Sequence, residues 1–112
     1  MKTILPSLKE KKRYLVFEIL AIDKIKDFKN IKNEIFSGIQ SFLGQLDYGK
    51  SGVMFLKDLW FKEKQKGILS VNSKYVDKVK MGLILIKKLE GKDVILNIIS
   101  VSGILNKAKK YV

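Results

Sequence analysis

The stretch RYLVFEILAI, residues 13–22, is the strongest structural signal in this chain of 112 residues. Apart from Arg13 and Glu18 its residues are aliphatic or aromatic, and several are β-branched, as is typical of a buried strand. Apolar side chains fall on both alternating faces, so such a strand requires cover on two sides. We therefore predict a strand at residues 13–22 that lies inside a sheet.

A helical pattern follows in residues 26–43. Apolar residues recur there at steps of three and four, which places them along one face of a helix; they are Phe28, Ile31, Ile35, Ile39 and Phe42. Gly44 stands where such a helix ends. We predict an amphipathic helix that buries this stripe, and we expect three phenylalanines on or beside it in the core: Phe28, Phe36 and Phe42.

Two strands are predicted in the middle of the chain. Residues 53–62 and the segment ILSV, residues 68–71, flank the polar run KEKQKG, which turns the chain. The preceding loop contains Gly49 and Gly52 in the sequence GKSG, which lacks the full phosphate-binding pattern G-x-x-x-x-G-K-[ST], so a plain turn is favoured. Trp60 alternates with charged residues, and the pattern leaves both burial and partner contact open.

A second helix and a fourth strand complete the pattern. Asn72 or Ser73 is placed to cap the helix, whose apolar positions recur at helical spacing as far as Leu89 before Gly91 ends it. The segment DVILNIISV, residues 93–101, is predicted as the fourth strand.

The order strand, helix, strand, strand, helix, strand predicts an α+β fold of the ferredoxin-like, split βαβ class, in which four antiparallel strands carry two helices on one face. We predict a single domain over residues 1–112, with a basic arm at 1–12, a ferredoxin-like core at 13–101 and a basic C-terminal helix at 102–112. The other sheet face is apolar in the first and fourth strands. It therefore requires cover by the terminal segments, by another protein chain, or by both.

The charge of the chain indicates a polyanionic partner. There are 23 basic and 11 acidic residues, a formal charge of +12 that the fold does not require. We favour nucleic acid over a membrane, because no basic stretch is both long and strongly amphipathic. A lysine-rich solubilising surface explains only part of the excess. No apolar run reaches the roughly 18 residues that span a bilayer, and the amino end lacks a secretory core, so we expect a soluble, intracellular, cytoplasmic protein.

Catalytic chemistry is poorly supported by the residue types present. The chain has no Cys and no His, which removes thiolate nucleophiles, imidazole acid/base chemistry and most zinc sites. The carboxylates are scattered, with no pair at metal or acid/base spacing. The third strand also lacks the aromatic residues on which RNA-recognition motifs stack bases. We expect no catalytic residue and no metal-binding or cofactor-binding site in this chain.

Two basic segments flank the predicted core and are the candidate RNA contacts. Each is a weak signal alone, since a charge run is usually a solvated surface. Because the first and last strands lie centrally in this fold, we expect the two segments to lie close together. The predicted RNA-binding residues are Lys9, Lys11, Lys12 and Arg13 before and at the first strand, and Lys107, Lys109 and Lys110 in the tail.

Three segments closely resemble archaeal ribonuclease P protein component 2, a family with eukaryotic members: LPSLKEKKRYLVFEI, GILSVNSKYVDKVKMGLILI and IISVSGILNKAKKYV. One departure is that Arg13 is the only arginine here, whereas family members often carry arginines in both basic segments. Lysine cannot form the planar bidentate contacts of arginine. The resemblance implies a subunit of the ribonucleoprotein endonuclease that hydrolyses precursor tRNA to remove its 5′ leader, with magnesium bound by the catalytic RNA.

The resemblance also implies the partners. They are the ribonuclease P RNA, ribonuclease P protein component 3 in a heterodimer that can pair into a heterotetramer, the other ribonuclease P proteins, and precursor tRNA as the substrate of the holoenzyme. The chain would support RNA folding and magnesium-dependent activity by electrostatic contacts. Two alternatives remain: a ferredoxin-like module that dimerises or bridges proteins without RNA, and an acyl-phosphate hydrolase, for which no arginine-bearing phosphate loop is found.

Overall fold

The central sheet is antiparallel and is built around the strand predicted from RYLVFEILAI. The computed structural model describes residues 11–22, 25 and 28–112, with the backbone alone at residues 56–59. The strands in this part of the chain are β1 (Lys12–Ala21), β2 (Met54–Phe61), β3 (Lys66–Asn72), β4 (Lys88–Leu89) and β5 (Lys92–Ser102). Most of the predicted arm, including Lys9, lies outside the described residues. The predicted division into arm, core and tail therefore stays a prediction.

The strand order is β2-β3-β1-β5-β4, so β1 pairs with β3 on one side and with β5 on the other. The four long strands have the order of a ferredoxin-like sheet, and the predicted fold class is confirmed. The helices of the described residues are α1 (Phe28–Leu43), α2 (Gln45–Ser51), α3 (Val76–Ile84) and α4 (Leu105–Ala108). None of them is both long and apolar enough to cross a membrane.

The main core lies between the sheet and the helices α1 and α3. Alternate residues of β1 enter it, and Leu15 and Phe17 are fully buried there. Trp60, which the sequence left open, packs against this core: its ring stacks on Phe28 at 4.4 Å between centroids and lies 6.4 Å from Phe17. The rings fill the space between β2 and the first turn of α1, so Trp60 is a packing residue.

Two parts of the predicted element pattern are wrong. Residues 45–51 are predicted as a loop but form α2. This helix ends at Gly52, whose backbone is in the left-handed conformation with φ 61°. The second helix ends at Ile84, and Gly91 instead forms, with Glu90, the turn of a hairpin between β4 and β5. Both turn residues have positive φ, as a two-residue hairpin loop of type I′ requires. Leu89 is buried in β4, so its helical spacing was coincidental.

The prediction that Phe42 is buried is also wrong. Its side chain is 45% exposed, although Phe28 and Phe36 pack against the core as expected. Beside it α3 carries Gly82, whose nearest neighbours are Ile39 and Phe42. A glycine has no side chain to cover the ring, so Phe42 lines an open groove of about 670 Å³ between α1 and α3.

The opposite face of the sheet carries a second, smaller core beneath the C-terminal segment. Ala108 of α4 is fully buried against Val16 and Ile68, with Leu105 and Val112 packed at the edge of this cluster. The prediction that a terminal segment covers this face is confirmed for the C-terminal one. The predicted helix at residues 102–112 is shorter than expected: β5 extends to Ser102, and α4 is followed by a 3₁₀ turn.

Candidate nucleic-acid interface

The basic start of β1 is anchored by backbone hydrogen bonds of the sheet. Lys12 and Arg13 stand opposite Asn72 and Val71 in the β1–β3 register. The backbone carbonyl of Lys11 accepts a hydrogen bond of 2.7 Å from the N–H of Ser73. Lys11 and Lys12 are exposed and Arg13 is half-buried, so these three cations face solvent from a fixed backbone.

Arg13 connects this anchored strand to the beginning of the C-terminal segment. Its guanidinium group donates a hydrogen bond of 3.3 Å from Nη1 to the carbonyl of Lys12. The same group lies against Gly103, where a Cβ would be only 3.1 Å from Nη1. The start of β1 and the beginning of the C-terminal segment therefore adjoin at this point, ahead of the three tail lysines.

The lysines of the C-terminal segment extend away from that junction. Lys107, Lys109 and Lys110 are exposed, while the segment that carries them is docked through Ala108. Its last carbonyls, on Tyr111 and Val112, accept hydrogen bonds of 3.2 Å from the ammonium groups of two further lysines, Lys66 and Lys64.

Those contacts place the end of the C-terminal segment far along β1. Lys66 pairs with Glu18, six strand residues beyond Lys12, a distance of about 20 Å. The predicted cations therefore follow the sheet from one end towards the other and do not form one compact cluster. Lys64 and Lys66 were missed as neighbours of the tail, because only the docking of α4 brings them there.

The candidate cations lack acidic partners in the part of the chain that the structure covers. None of Lys11, Lys12 and Arg13, nor of the three tail lysines, forms an ion pair there; the ion pairs observed are Lys78–Asp47 at 3.1 Å and Lys88–Asp93 at 3.8 Å. Over the same residues, no three His, Cys, Asp or Glu side chains form a group that could hold a metal ion. The arrangement can neutralise anions such as phosphates from fixed positions.

Two further lysines, Lys50 and Lys74, lie beside the start of β1 and were not predicted. Lys50 is in the last turn of α2, whose backbone is hydrogen-bonded to Asn72, the residue opposite Lys12. Lys74 follows Ser73, which is bonded to Lys11. No sequence signal identifies them, because the sequence pattern predicts a loop where α2 lies.

Comparison with known proteins places these features in a family. A profile of the Rpp14/Pop5 family matches residues 13–112. Ribonuclease P protein component 2 of Pyrococcus abyssi is 31% identical over 111 residues, covering 98% of this chain and 91% of that protein. The protein of the same name from Methanocaldococcus jannaschii is 33% identical over 109 residues, covering 97% and 78%.

A structural comparison agrees at the level of the fold. One chain in the cryo-EM structure of yeast ribonuclease MRP superposes with a TM-score of 0.64 at 14% identity, covering 94% of this chain and 79% of that chain. The match of the family profile to nearly the whole chain confirms the resemblance predicted from the terminal segments: this protein belongs to the Rpp14/Pop5 family.

Proposed function

We propose that this chain is a protein subunit of ribonuclease P, the ribonucleoprotein endonuclease that removes the 5′ leader of precursor tRNA. Its relatives from archaea carry the name of such a subunit, and this chain aligns with 91% and 78% of the length of the two described above. The structural observation that carries the proposal is the basic start of β1, where Lys11, Lys12 and Arg13 are held by the sheet and form no ion pair within the described part of the chain.

The proposed mechanism is electrostatic support of a catalytic RNA. A cation on a hydrogen-bonded strand loses less conformational entropy on binding than one on a free tail. Such cations offset phosphate repulsion where the RNA folds tightly, so the RNA folds and binds magnesium at a lower magnesium concentration. The magnesium belongs to the RNA, which performs the hydrolysis, and no side chain of this chain takes part in the cleavage step.

Exposed apolar residues support the proposed protein partners. Leu20, Ile22 and Ile95 lie exposed at the end of the sheet opposite Lys12, and Ile22 is 99% exposed. Apolar exposure at this density suits a contact with another protein. A heterodimer with ribonuclease P protein component 3, paired further into a heterotetramer, would leave Lys11, Lys12 and Arg13 at the other end for the RNA.

The central test is a magnesium titration of reconstituted ribonuclease P in which Lys11, Lys12 and Arg13 are all replaced by alanine. The matched control replaces Lys32, Lys87 and Lys92, three exposed lysines outside the candidate interface. We expect the first variant to require about two- to fivefold more magnesium for half-maximal cleavage, and the control to behave like the wild type.

The salt dependence of RNA binding provides a second readout. With about four to six phosphates contacted, the logarithm of affinity falls against the logarithm of salt concentration with a slope of about −3 to −5. Replacing the three cations by alanine should reduce the magnitude of this slope by about 2 to 3. An unchanged magnesium requirement in a folded variant would exclude the mechanism.

The exposed apolar surface also favours the second candidate, a module that bridges proteins without binding RNA. In that case RNA retention would disappear by about 0.15 M salt, where weak surface attraction is largely screened. Retention would also be indifferent to changes in either basic segment.

A further inference from the structure

The side chain of Asn72 joins the end of α2 to the end of β3. The sequence offers Asn72 or Ser73 as the cap of the helix that follows, but the side chain of Asn72 makes no capping hydrogen bond there. Its Nδ2 instead donates to the carbonyl oxygen of Lys50 at 2.7 Å. Carbonyls in the last turn of a helix have no partner within the helix, so this bond satisfies one of them and fixes the turn that carries Lys50.

Lys12 reaches the same junction from β1. Gly52, which ends α2, has φ 61°, and a Cβ added there would lie 2.9 Å from Nδ2 of Asn72 and 3.0 Å from Nζ of Lys12. The ammonium group of Lys12 therefore lies against the turn of α2 and beside Asn72. The GKSG sequence is thus not a separate phosphate loop; it forms the end of a helix that meets the basic start of β1.

Lys74 lies next to a backbone contact between the end of β3 and the start of β1. The N–H of Ser73 donates to the carbonyl of Lys11 at 2.7 Å, which fixes the beginning of the 3₁₀ turn Ser73–Tyr75. Lys74 is the next residue in that turn, and its side chain is exposed. Lys50 and Lys74 thus flank Lys11 and Lys12 on backbones that are hydrogen-bonded to β1 or to its neighbour β3.

No ion pair among the described residues neutralises the charge around this junction. The acidic residue in the first turn of α2, Asp47, forms its ion pair with Lys78 of α3 at 3.1 Å. Within the described ranges, Lys50 and Lys74 have no carboxylate partner of their own. Asp47, the acidic residue of α2 itself, is therefore already paired.

We propose that Lys50 and Lys74 bind RNA phosphates as part of the same surface as Lys11 and Lys12, and that Asn72 is the residue that positions Lys50 for this contact. This inference rests on the proposed function. It extends the RNA contact from the start of β1 to the end of α2 and the 3₁₀ turn Ser73–Tyr75. Convergence of separate backbones on one end of the sheet gives the surface a width that a single strand does not have, so it can contact phosphates on more than one stretch of RNA.

The test measures binding of the full chain to in vitro transcribed ribonuclease P RNA between about 0.1 and 0.4 M KCl. Lys50→Gln and Lys74→Gln each remove one charge, so each should reduce the salt slope by about 0.7 to 0.9. Lys92→Gln, an exposed lysine at the far end of the sheet, is the control and should leave the slope unchanged.

Asn72→Ala tests the positioning role separately, because it changes no charge. We expect affinity at constant salt to fall about two- to fivefold with an unchanged salt slope, while a thermal melt confirms that the variant is folded. Affinity equal to that of the wild type would refute the positioning role.

The outcomes separate this inference from the function on which it rests. If the variant that lacks Lys11, Lys12 and Arg13 loses affinity but Lys50→Gln and Lys74→Gln match Lys92→Gln, the wider surface is refuted and the proposed function stands. If the wild-type chain itself shows no salt-dependent binding to this RNA, the proposed function is refuted, and the wider surface with it.

Discussion

Replacement of Gln65 by glutamate tests how the turn between β2 and β3 holds the connection from β1 to α1. Gln65 is only 7% exposed and has a positive φ of 55°. Its side chain pairs with both backbone groups of Ile25: Oε1 accepts from the N–H at 2.9 Å, and Nε2 donates to the carbonyl at 3.1 Å. Nε2 also donates to the carbonyl of Lys62 at 2.8 Å.

The expected loss of stability follows from these bonds. The substitution keeps the shape and the acceptor but removes both donated hydrogen bonds and places a carboxylate against two carbonyl oxygens. The carbonyl of Lys62 retains a longer bond of 3.3 Å from the backbone N–H of residue 65, so the carbonyl of Ile25 is the main group left unsatisfied. A lost bond costs about 0.5–1.5 kcal/mol and an unsatisfied buried acceptor about 1–3 kcal/mol, which together give about 2–4 kcal/mol at pH 7.

Thermal unfolding followed by circular dichroism measures this loss. At roughly 4 °C per kcal/mol for a chain of this size, Tm should fall by about 8–16 °C. Gln45→Glu, at an exposed position of α2, is the matched control and should change the free energy of unfolding by less than about 0.5 kcal/mol.

The pH dependence identifies the cause. Burial next to carbonyl oxygens should hold the pKa of the introduced carboxyl above its unfolded value of about 4.3, so the folded state binds the proton more tightly. The deficit relative to wild type should therefore shrink as pH falls through the folded pKa, when the protonated group regains one donor. A Tm within about 2 °C of wild type at pH 7, or a deficit that is the same at pH 4 and pH 7, would refute this reasoning.

Two further predictions concern the C-terminal segment and α2. Ala108→Asp places a charge against Val16 and Ile68, so α4 should detach from the sheet. Trypsin should then cleave the tail several-fold faster than in Asn106→Asp, a control at an exposed position. Equal cleavage of both variants would contradict the docking of α4. Burial raises the pKa of Tyr48 above its usual value near 10. The free energy of unfolding should therefore decrease as pH rises from about 10 through the folded pKa, because the unfolded state loses this proton first. Tyr48→Phe should flatten the fall of the free energy of unfolding above about pH 10, and urea unfolding curves identical to wild type there would contradict it.

Apolar runs and the helical spacing of apolar residues predicted most of the fold. β1 is a continuous apolar run, the buried stripe of α1 recurs at steps of four residues, and Gly44 follows α1 with φ 86°, as the pattern indicated. These signals are local: each depends on residues close in sequence and on the requirement that apolar surface be buried. The two basic segments could be predicted for the same reason, since a run of charged residues is recognised from the local sequence alone.

The errors occurred where local signals were weak or matched two structures equally well. The seven residues of α2 contain Gly49 in the helix interior, which lowers their helix propensity, and the bond from Asn72 that holds the end of this helix comes from another part of the chain. Leu89 has a spacing that suits either a helix or a buried strand, and only the positive φ angles of Glu90 and Gly91 distinguish the hairpin.

The candidate site depends most on tertiary structure. The sequence alone predicted Lys9, Lys11, Lys12 and Arg13 as RNA contacts, because they adjoin a strand that must be buried. It could not place Lys50 beside Lys12, or direct the tail lysines along the sheet towards Lys66, because these arrangements follow from the pairing of β1 with β3 and from the docking of α4. The pattern of apolar residues along the chain shows which segments must be buried. Which charged residues distant in sequence become neighbours depends on how those buried segments pack.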